Sequence, residues 1–236
     1  MSKFGILYLI PSSLGENTVH TIPNYNIHII DRLEYFIAER AKTARHFIKA
    51  CLPEKNMSPL QFEELNKRTQ DTDLKHFMKP LFEGKDMGLL SEAGCPGVAD
   101  PGSKIVKLAH QNGIKVVPLT GPSSILLALM ASGMNGQNFA FVGYLPPKKN
   151  ELAKTLKQLE SRSTKFNQTQ IFIETPYRNN QMLEVATQTL SAQTNFCVAM
   201  DLTLPTEYIK TQRIAQWKQE TQLDFHKRLG IFLMEG

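Results

Sequence analysis

The sequence has few cysteines, and their scarcity limits the ways in which the chain can be cross-linked or can bind metal. Its three cysteines, Cys51, Cys95 and Cys197, are odd in number and lie far apart, without a C-x-x-C pair. This pattern argues against a disulfide framework and against a zinc site. The six histidines show neither H-x-H nor H-E-x-x-H spacing. We therefore expect a protein that contains no metal.

Long apolar runs are also missing. The longest uninterrupted one, residues 125–131, is far below the ~18 residues that span a bilayer. The apolar stretch at the start of the chain is too short for a secretory signal. We therefore expect a cytoplasmic protein with no membrane contact. Hydrophobic residues make up 42% of the chain, which is enough for a packed core.

Charge of one sign is only slightly in excess. The net charge is +5, and the 15 basic and 13 acidic residues of positions 1–117 are followed by 12 and 9 in positions 118–236. This balance permits a polyanionic partner such as RNA without indicating one. One predicted helix carries a basic cluster, made of Arg40, Lys42, Arg45 and Lys49. Such a cluster fits either a solvated helix face or a contact with phosphate.

Two nucleotide-binding motifs are absent as well. No glycine-rich loop ends in the G-K-[ST] of a phosphate-binding loop, and no G-x-G-x-x-G is followed by a ribose-binding carboxylate. Kinases, nucleoside triphosphatases and ordinary dehydrogenases therefore lose their main sequence support.

What the sequence does contain is a pair of turns rich in glycine and proline. The first, residues 92–102, follows the apolar run 87–90, and the second, residues 118–122, follows Val116 and Val117. In open α/β sheets ligands bind beyond the carboxyl ends of the strands, and small residues there let a ligand approach the backbone. The alternative is that both turns are purely structural.

Apolar periodicity and turn residues predict alternating strands and helices, and hence the α/β class. The predicted strands cover residues 4–10, 26–30, 87–90, 115–117, 139–144, 170–174, 195–200, 207–213 and 229–235. The predicted helices cover residues 33–50, 61–66, 74–82, 101–111, 122–132, 151–162 and 179–190, with Asp71 or Thr72 as the cap of the third. We divide the chain into two α/β domains, residues 1–117 and 118–236.

Further polar loops follow strands in the second domain. Thr175, Tyr177 and Arg178 come after the strand at 170–174, and Asp201 comes after the strand at 195–200. Ser123 and Ser124 open a predicted helix, whose free N–H groups and hydroxyls could hold a ligand. Each of these residues could equally be a cap or a surface residue. Together with the first turn they could converge on one cleft.

Taken together, these residues resemble the tetrapyrrole methylase superfamily, the class III S-adenosylmethionine (SAM)-dependent methyltransferases. The resemblance is closest to the branch of small-subunit ribosomal RNA ribose 2′-O-methyltransferases. Residues 91–102, SEAGCPGVADPG, are similar to its S-D-A-G-x-P-x-[IV]-[SA]-D-P-G motif. Residues 113–124 are similar to its G-[IV]-x-V-x-P-L-P-G-P-[SC]-[AS] motif, and residues 174–178 to E-[ST]-x-x-R.

The resemblance implies two α/β domains with a SAM cleft between them, a homodimer, and small-subunit ribosomal RNA as the substrate. By motif position, the residues implied to bind SAM are Pro11, Gly94, Asp100, Pro122, Ser123, Ser124, Thr175, Tyr177, Met200 and Asp201. The catalytic base is left open. The candidates are Glu39, Glu92, Asp100, Glu174 and Asp201.

Two alternatives to RNA methylation are also open. One is C- or N-methylation of a tetrapyrrole or another small molecule, which the superfamily permits. The other is a SAM-binding module without catalysis that acts through RNA or protein partners. The second alternative is suggested by residues 38–45, AERAKTAR, where the RNA branch usually has E-D-T-R.

Overall fold

The computed structural model describes residues 3–66, 69–70 and 72–236. The chain divides into two compact units, Met1–Ser123 and Ser124–Gly236. The division follows Ser123, whereas the sequence prediction placed it after residue 117. Each unit contains one five-stranded sheet with helices, so the α/β class is confirmed.

Unit 1 contains a parallel sheet of strand order β3-β2-β4-β1-β5. Its strands are β1 (Ile6–Ile10), β2 (Tyr35–Ala38), β3 (Gln61–Glu64), β4 (Met87–Leu90) and β5 (Lys115–Pro118). Its helices are α1 (Asn24–Arg32), α2 (Ala41–Cys51), α3 (Leu74–Phe77), α4 (Lys79–Phe82) and α5 (Ser103–Gln111), with a 3₁₀ turn at Val19–Thr21. Both β4 and β5 pair with β1, which lies between them. The carboxyl ends of these three strands therefore lie at one edge of the sheet.

Both faces of this sheet are buried. Alternation along β1 directs Leu7 into one core and Tyr8 and Ile10 into the other. The first core also contains Ile105 of α5, and the second contains Ile30 of α1. A parallel sheet covered on both faces is typical of α/β proteins.

Three secondary-structure predictions in unit 1 were wrong. Residues 26–30 lie in α1, because Asn26, Ile29 and Ile30 are buried at helical spacing and Pro23 precedes the helix. The predicted helix at residues 61–66 is instead strand β3 over its first four residues, because pairing with β2 outweighs a weak local helix signal. The predicted helix 33–50 consists of β2 and α2. Of the two predicted caps, Asp71 lies outside the described residues, and Thr72 is not the cap, because the helix begins at the predicted Leu74 with Asp73 as its N-cap.

Unit 2 contains a mixed sheet of strand order β6-β7-β10-β8-β9. Its strands are β6 (Phe139–Tyr144), β7 (Thr169–Glu174), β8 (Asn195–Met200), β9 (Tyr208–Arg213) and β10 (Gly230–Glu235). Its helices are α6 (Ser124–Ser132), α7 (Lys149–Phe166), α8 (Asn179–Thr189) and α9 (Ile214–Trp217). The sequence predicted all of these elements except α9, which is a single turn.

Strand β10 holds the centre of this sheet, antiparallel to both β7 and β8. Phe232 on β10 stacks on Phe172 of β7 at 6.0 Å between ring centroids, and it lies 6.0 Å from Phe196 of β8. All three rings are fully buried. Because β10 runs the opposite way, it begins at the edge where β7 and β8 end. In the described part of the chain, no helix is long and apolar enough to cross a membrane.

Candidate functional site

In unit 1 the segment after β1 is bonded to the loop after β4. Ser12 and Gly94 exchange two backbone hydrogen bonds, Ser12 N to Gly94 O at 2.9 Å and Gly94 N to Ser12 O at 3.0 Å. The Ser12 hydroxyl also donates to Ser91 O at 2.9 Å. Gly94 has a φ of +72°, a conformation that an L side chain rarely adopts. The loop can follow this path because residue 94 is glycine.

The turn after β5 lies against the same two segments. A Cβ at Gly121 would lie only 2.4 Å from Cβ of Pro11, so backbone and proline ring are in direct contact. The Cys95 thiol lies 3.6 Å from the carbonyl of Pro122, and burial raises its pKa. The Ser123 side chain forms a hydrogen bond with the same thiol. The structure thus brings together Pro11, Gly94, Pro122 and Ser123, and Ser124 begins α6.

Asp100 braces the far end of the β4 loop. Its Oδ1 accepts hydrogen bonds from Gly97 N at 2.8 Å and from Gly102 N at 2.7 Å. Its Oδ2 is buried and has no hydrogen-bond partner among residues 3–66, 69–70 and 72–236. Burial raises the pKa of this carboxyl, although the bonds from Gly102 and Gly97 lower it. Asp100 and Glu39 line the same narrow crevice.

In unit 2 the loop after β7 is organised by a buried carboxylate. Glu174 Oε1 accepts from Arg178 Nη2 at 2.5 Å, from Arg178 Nε at 3.0 Å and from Thr175 N at 2.6 Å. The Tyr177 side chain is 69% exposed, and its ring meets that of His226 edge-on at 5.7 Å. Tyr177 is therefore accessible to a ligand, whereas Glu174 and Arg178 are used to shape the loop.

The loop after β8 contains the other two predicted residues. The Met200 side chain is fully buried, and its sulfur would lie 2.7 Å from a Cβ at Gly230. The Met200 side chain therefore packs against the start of β10 and is not open to a ligand. Asp201 has a φ of +51°, and its Oδ2 accepts from Arg228 Nε at 2.7 Å and from Thr206 Oγ1 at 3.0 Å.

These contacts reduce the candidates for a proton acceptor. The carboxylates of Glu174 and Asp201 are already engaged by hydrogen bonds from Arg178 and Arg228. Glu39, Glu92 and Asp100 remain. Glu92 is exposed and accepts a hydrogen bond from the Thr43 hydroxyl at 3.2 Å.

Several residues of the site were not predicted from the sequence. Ser12 and Gly121 hold the unit 1 loops together, and Arg228 holds the Asp201 carboxylate. Ser12 follows Pro11, which the resemblance implied to bind SAM, and Gly121 lies within the motif at residues 113–124, so their neighbourhoods were predicted but their roles were not. Nothing in the spacing of Asp201 and Arg228, which lie 27 positions apart, indicated their pairing.

The basic cluster on α2 is only partly a surface feature. Arg45 donates to Met57 O at 3.2 Å and to Leu60 O at 3.1 Å, and its guanidinium lies 4.4 Å from the centre of the Phe62 ring. It therefore fastens α2 to the segment before β3. Arg40 and Lys42 are exposed.

The raised pKa of Asp100 predicts how the Asp100→Asn variant depends on pH. A carboxyl whose pKa is raised by folding contributes most stability below its unfolded pKa of about 3.9, and loses that contribution as the pH rises through the folded value. Asparagine stays neutral. The stability of the variant relative to the wild type should therefore increase between about pH 4 and pH 7.

Urea midpoints measured across this pH range test the prediction. The variant Asp31→Asn, at a side chain that is 61% exposed, controls for the loss of one negative charge. A relative stability that is constant or decreases with pH would contradict the expected direction.

Comparisons with known proteins identify the relatives of this chain. A family model described as Tetrapyrrole (Corrin/Porphyrin) Methylases matches residues 26–217. A Bacillus subtilis protein is 33% identical over 226 residues, which cover 94% of this chain and 73% of the relative. A Vibrio cholerae protein is 31% identical over 98% of this chain and 77% of the relative. A Buchnera aphidicola protein is 28% identical over 100% of this chain and 80% of the relative. All three are named ribosomal RNA small subunit methyltransferase I.

Solved structures share the fold at much lower identity. The methyltransferase CobJ aligns with a TM-score of 0.64 and 14% identity, covering 99% of this chain and 94% of CobJ. The cobalt precorrin-4 methyltransferase CbiF aligns with a TM-score of 0.62 and 13% identity, covering 98% and 94%. At this identity the alignments establish the fold alone.

The matched family model spans most of the chain, and the relatives cover nearly all of it. The protein therefore belongs to the tetrapyrrole (corrin/porphyrin) methylase family and is a SAM-dependent methyltransferase.

Proposed function

We propose that the protein transfers a methyl group from SAM to a ribose 2′-hydroxyl of small-subunit ribosomal RNA, and that it does so in the cytoplasm. The observation that carries the proposal is the loop cluster of Pro11, Gly94 and Pro122, formed by the motifs that resemble the RNA branch. The names of the relatives support the same substrate. The exposed side chains of Arg40 and Lys42 are available to RNA phosphate.

We further propose that SAM binds to the loops of the site. The residues are Pro11, Gly94, Asp100, Pro122 and Ser123 in unit 1 and Ser124, Thr175, Tyr177, Met200 and Asp201 in unit 2. The cofactor's chemistry fits the donors and acceptors present. The Oδ2 of Asp100, which has no hydrogen-bond partner in the described part of the chain, is an acceptor suited to a hydroxyl or ammonium group. Tyr177 offers an exposed ring on which a purine can stack.

SAM, when bound, supplies a methyl group on a sulfonium. The chain's own task is to orient the ribose hydroxyl and to accept its proton, because a hydroxyl is a weak nucleophile without a base. Glu39, Glu92 and Asp100 are the carboxylates left for this role. The hydrogen bonds within the unit 1 loops fix the backbone before ligands arrive, which lowers the entropic cost of binding.

We propose a homodimer as the working form, as the family resemblance implies. Helix α6 supports this, because Leu126 and Met130, one helical turn apart, are 51% and 78% exposed. Sedimentation velocity should give twice the monomer mass for the wild type and a monomer for Met130→Lys. Phe166→Lys, at an exposed phenylalanine on α7, should stay dimeric. A monomeric wild type would contradict the proposal.

A methyl-transfer assay tests the substrate. The protein is incubated with SAM labelled on the methyl group and with small ribosomal subunits from a strain that lacks this gene. We expect label in ribosomal RNA that maps to a 2′-O position. Label that enters only a porphyrinoid would replace RNA with a small-molecule substrate. SAM binding without transfer to either would indicate a module without catalysis.

Gly121→Ala tests the SAM site. The added Cβ would overlap the Pro11 ring, and overpacking of this kind costs about 1–3 kcal/mol. The strain pushes apart the two segments that we propose to bind SAM. Calorimetry should therefore show SAM binding weakened about tenfold, equal to about 1.4 kcal/mol.

Gly136→Ala is the matched control, because a Cβ there lies more than 4 Å from every described residue other than its two chain neighbours. Its affinity for SAM should equal that of the wild type. If Gly121→Ala folds and binds SAM with wild-type affinity, the loop cluster of unit 1 is not the cofactor site.

A further inference from the structure

The segment that leads into β10, residues 225–229, is bonded to both unit 2 loops of the site. Lys227 N donates to Pro176 O at 2.9 Å, which ties the segment to the loop after β7. Asp201 N donates to Leu229 O at 2.8 Å, and Leu229 N donates to Asp201 Oδ1 at 3.1 Å. The segment thus lies between two loops that are not adjacent in sequence.

The Arg228 side chain of this segment reaches the Asp201 loop through a charged contact. Its Nε donates to Asp201 Oδ2 at 2.7 Å, and its Nη2 donates to Thr206 O. The side chains of Arg228 and Asp201 are only 24% and 13% exposed, so solvent screens the pair weakly. The guanidinium therefore holds both ends of the turn that runs from Asp201 to Thr206.

Arg228 is itself held from the other side. Asn179 Nδ2 donates to Arg228 O at 2.7 Å and to Phe225 O at 3.0 Å. Asn179 is the first residue of α8 and is fully buried. The position of the Arg228 backbone is thus fixed by the helix that follows the β7 loop.

The turn that Arg228 holds has an unfavourable backbone. Asp201 and Thr203 have φ values of +51° and +74°, in the left-handed region that side chains other than glycine rarely adopt. Such conformations persist when surrounding contacts enforce them. The bonds from Arg228 to Asp201 and Thr206 are contacts of this kind.

We propose that Arg228 is a positioning residue for SAM binding. It acts through Asp201, holding the loop after β8 in its binding shape without touching the cofactor. This inference rests on the proposed assignment of Met200 and Asp201 to the SAM site. It gives a function to a position that no spacing in the sequence linked to the cofactor loops.

Calorimetric titration of SAM into Arg228→Ala, Arg228→Lys and Arg162→Ala tests the proposal. The Kd should rise about tenfold or more for Arg228→Ala, because its loss leaves the Asp201 carboxylate without its cation. Arg228→Lys keeps the charge but loses the two-pronged contact, so it should fall in between. Arg162→Ala removes an exposed arginine of α7 that donates a hydrogen bond to Gln168, and its Kd should be unchanged.

A double-mutant cycle with Asp201→Asn separates positioning from general stability. If Arg228 acts through Asp201, Arg228→Ala should weaken SAM binding much less in the Asp201→Asn background. At saturating SAM, the kcat of Arg228→Ala should stay near the wild-type value while the KM for SAM rises.

The outcomes that overturn the proposal are distinct from failure of the proposed function. A wild-type Kd in Arg228→Ala, or fully additive effects in the cycle, would overturn the positioning role. If Arg228→Ala does not fold, Arg228→Lys replaces it in the test. A wild-type Kd for SAM in Arg228→Lys would then overturn the positioning role. A wild-type protein that does not bind SAM would instead overturn the cofactor assignment itself.

Discussion

The pairing of β1 between β4 and β5 is the constraint on which the unit 1 site depends. The register aligns Leu9 with Leu89 on one side and with Pro118 on the other, so the three strands end at the same level. The segments that follow must then emerge side by side. Apolar burial on both faces of β1 fixes this register, because a slip by one residue would exchange its two core faces. Core packing thus brings the three loops together.

Unit 2 reaches a similar result by a different route. Its loops after β7 and β8 are separated by β10, so they cannot contact each other in the manner of neighbouring parallel strands. The chain fills this gap with residues 225–229, the segment that enters β10. The loops of unit 1 and the loops of unit 2 are therefore held in place by different interactions. Backbone pairing and close packing dominate in unit 1, whereas an ion pair and a buried amide dominate in unit 2.

Much of the fold could be predicted because most of the elements have strong local signals. Strands β4, β6 and β8 have the predicted bounds, since each is a compact apolar run ended by turn residues. The three wrong assignments of secondary structure fall between positions 26 and 66, where local signals are weak and pairing decides. Residues 61–64 become a strand only because β2 offers a free edge.

The site was predictable in its location but not in its internal contacts. Glycine and proline patterns indicated the loops, and the resemblance indicated the cofactor. The roles of the carboxylates could not be predicted, because whether Glu174 or Asp201 is accessible to a ligand depends on the arginine that contacts it. Arg178 lies four positions from Glu174 and could have been paired with it by spacing, whereas Arg228 is brought to Asp201 only by the sheet.

The single tryptophan gives the molecule a built-in optical reporter of one half. Trp217 is 2% exposed in the core of unit 2, and its indole N–H donates to Phe196 O at 2.8 Å. Its emission must shift when water reaches that core, and it arises entirely from unit 2. Fluorescence therefore follows the unfolding of unit 2, while circular dichroism follows both sheets. Any difference between the two transitions measures how independently the halves unfold.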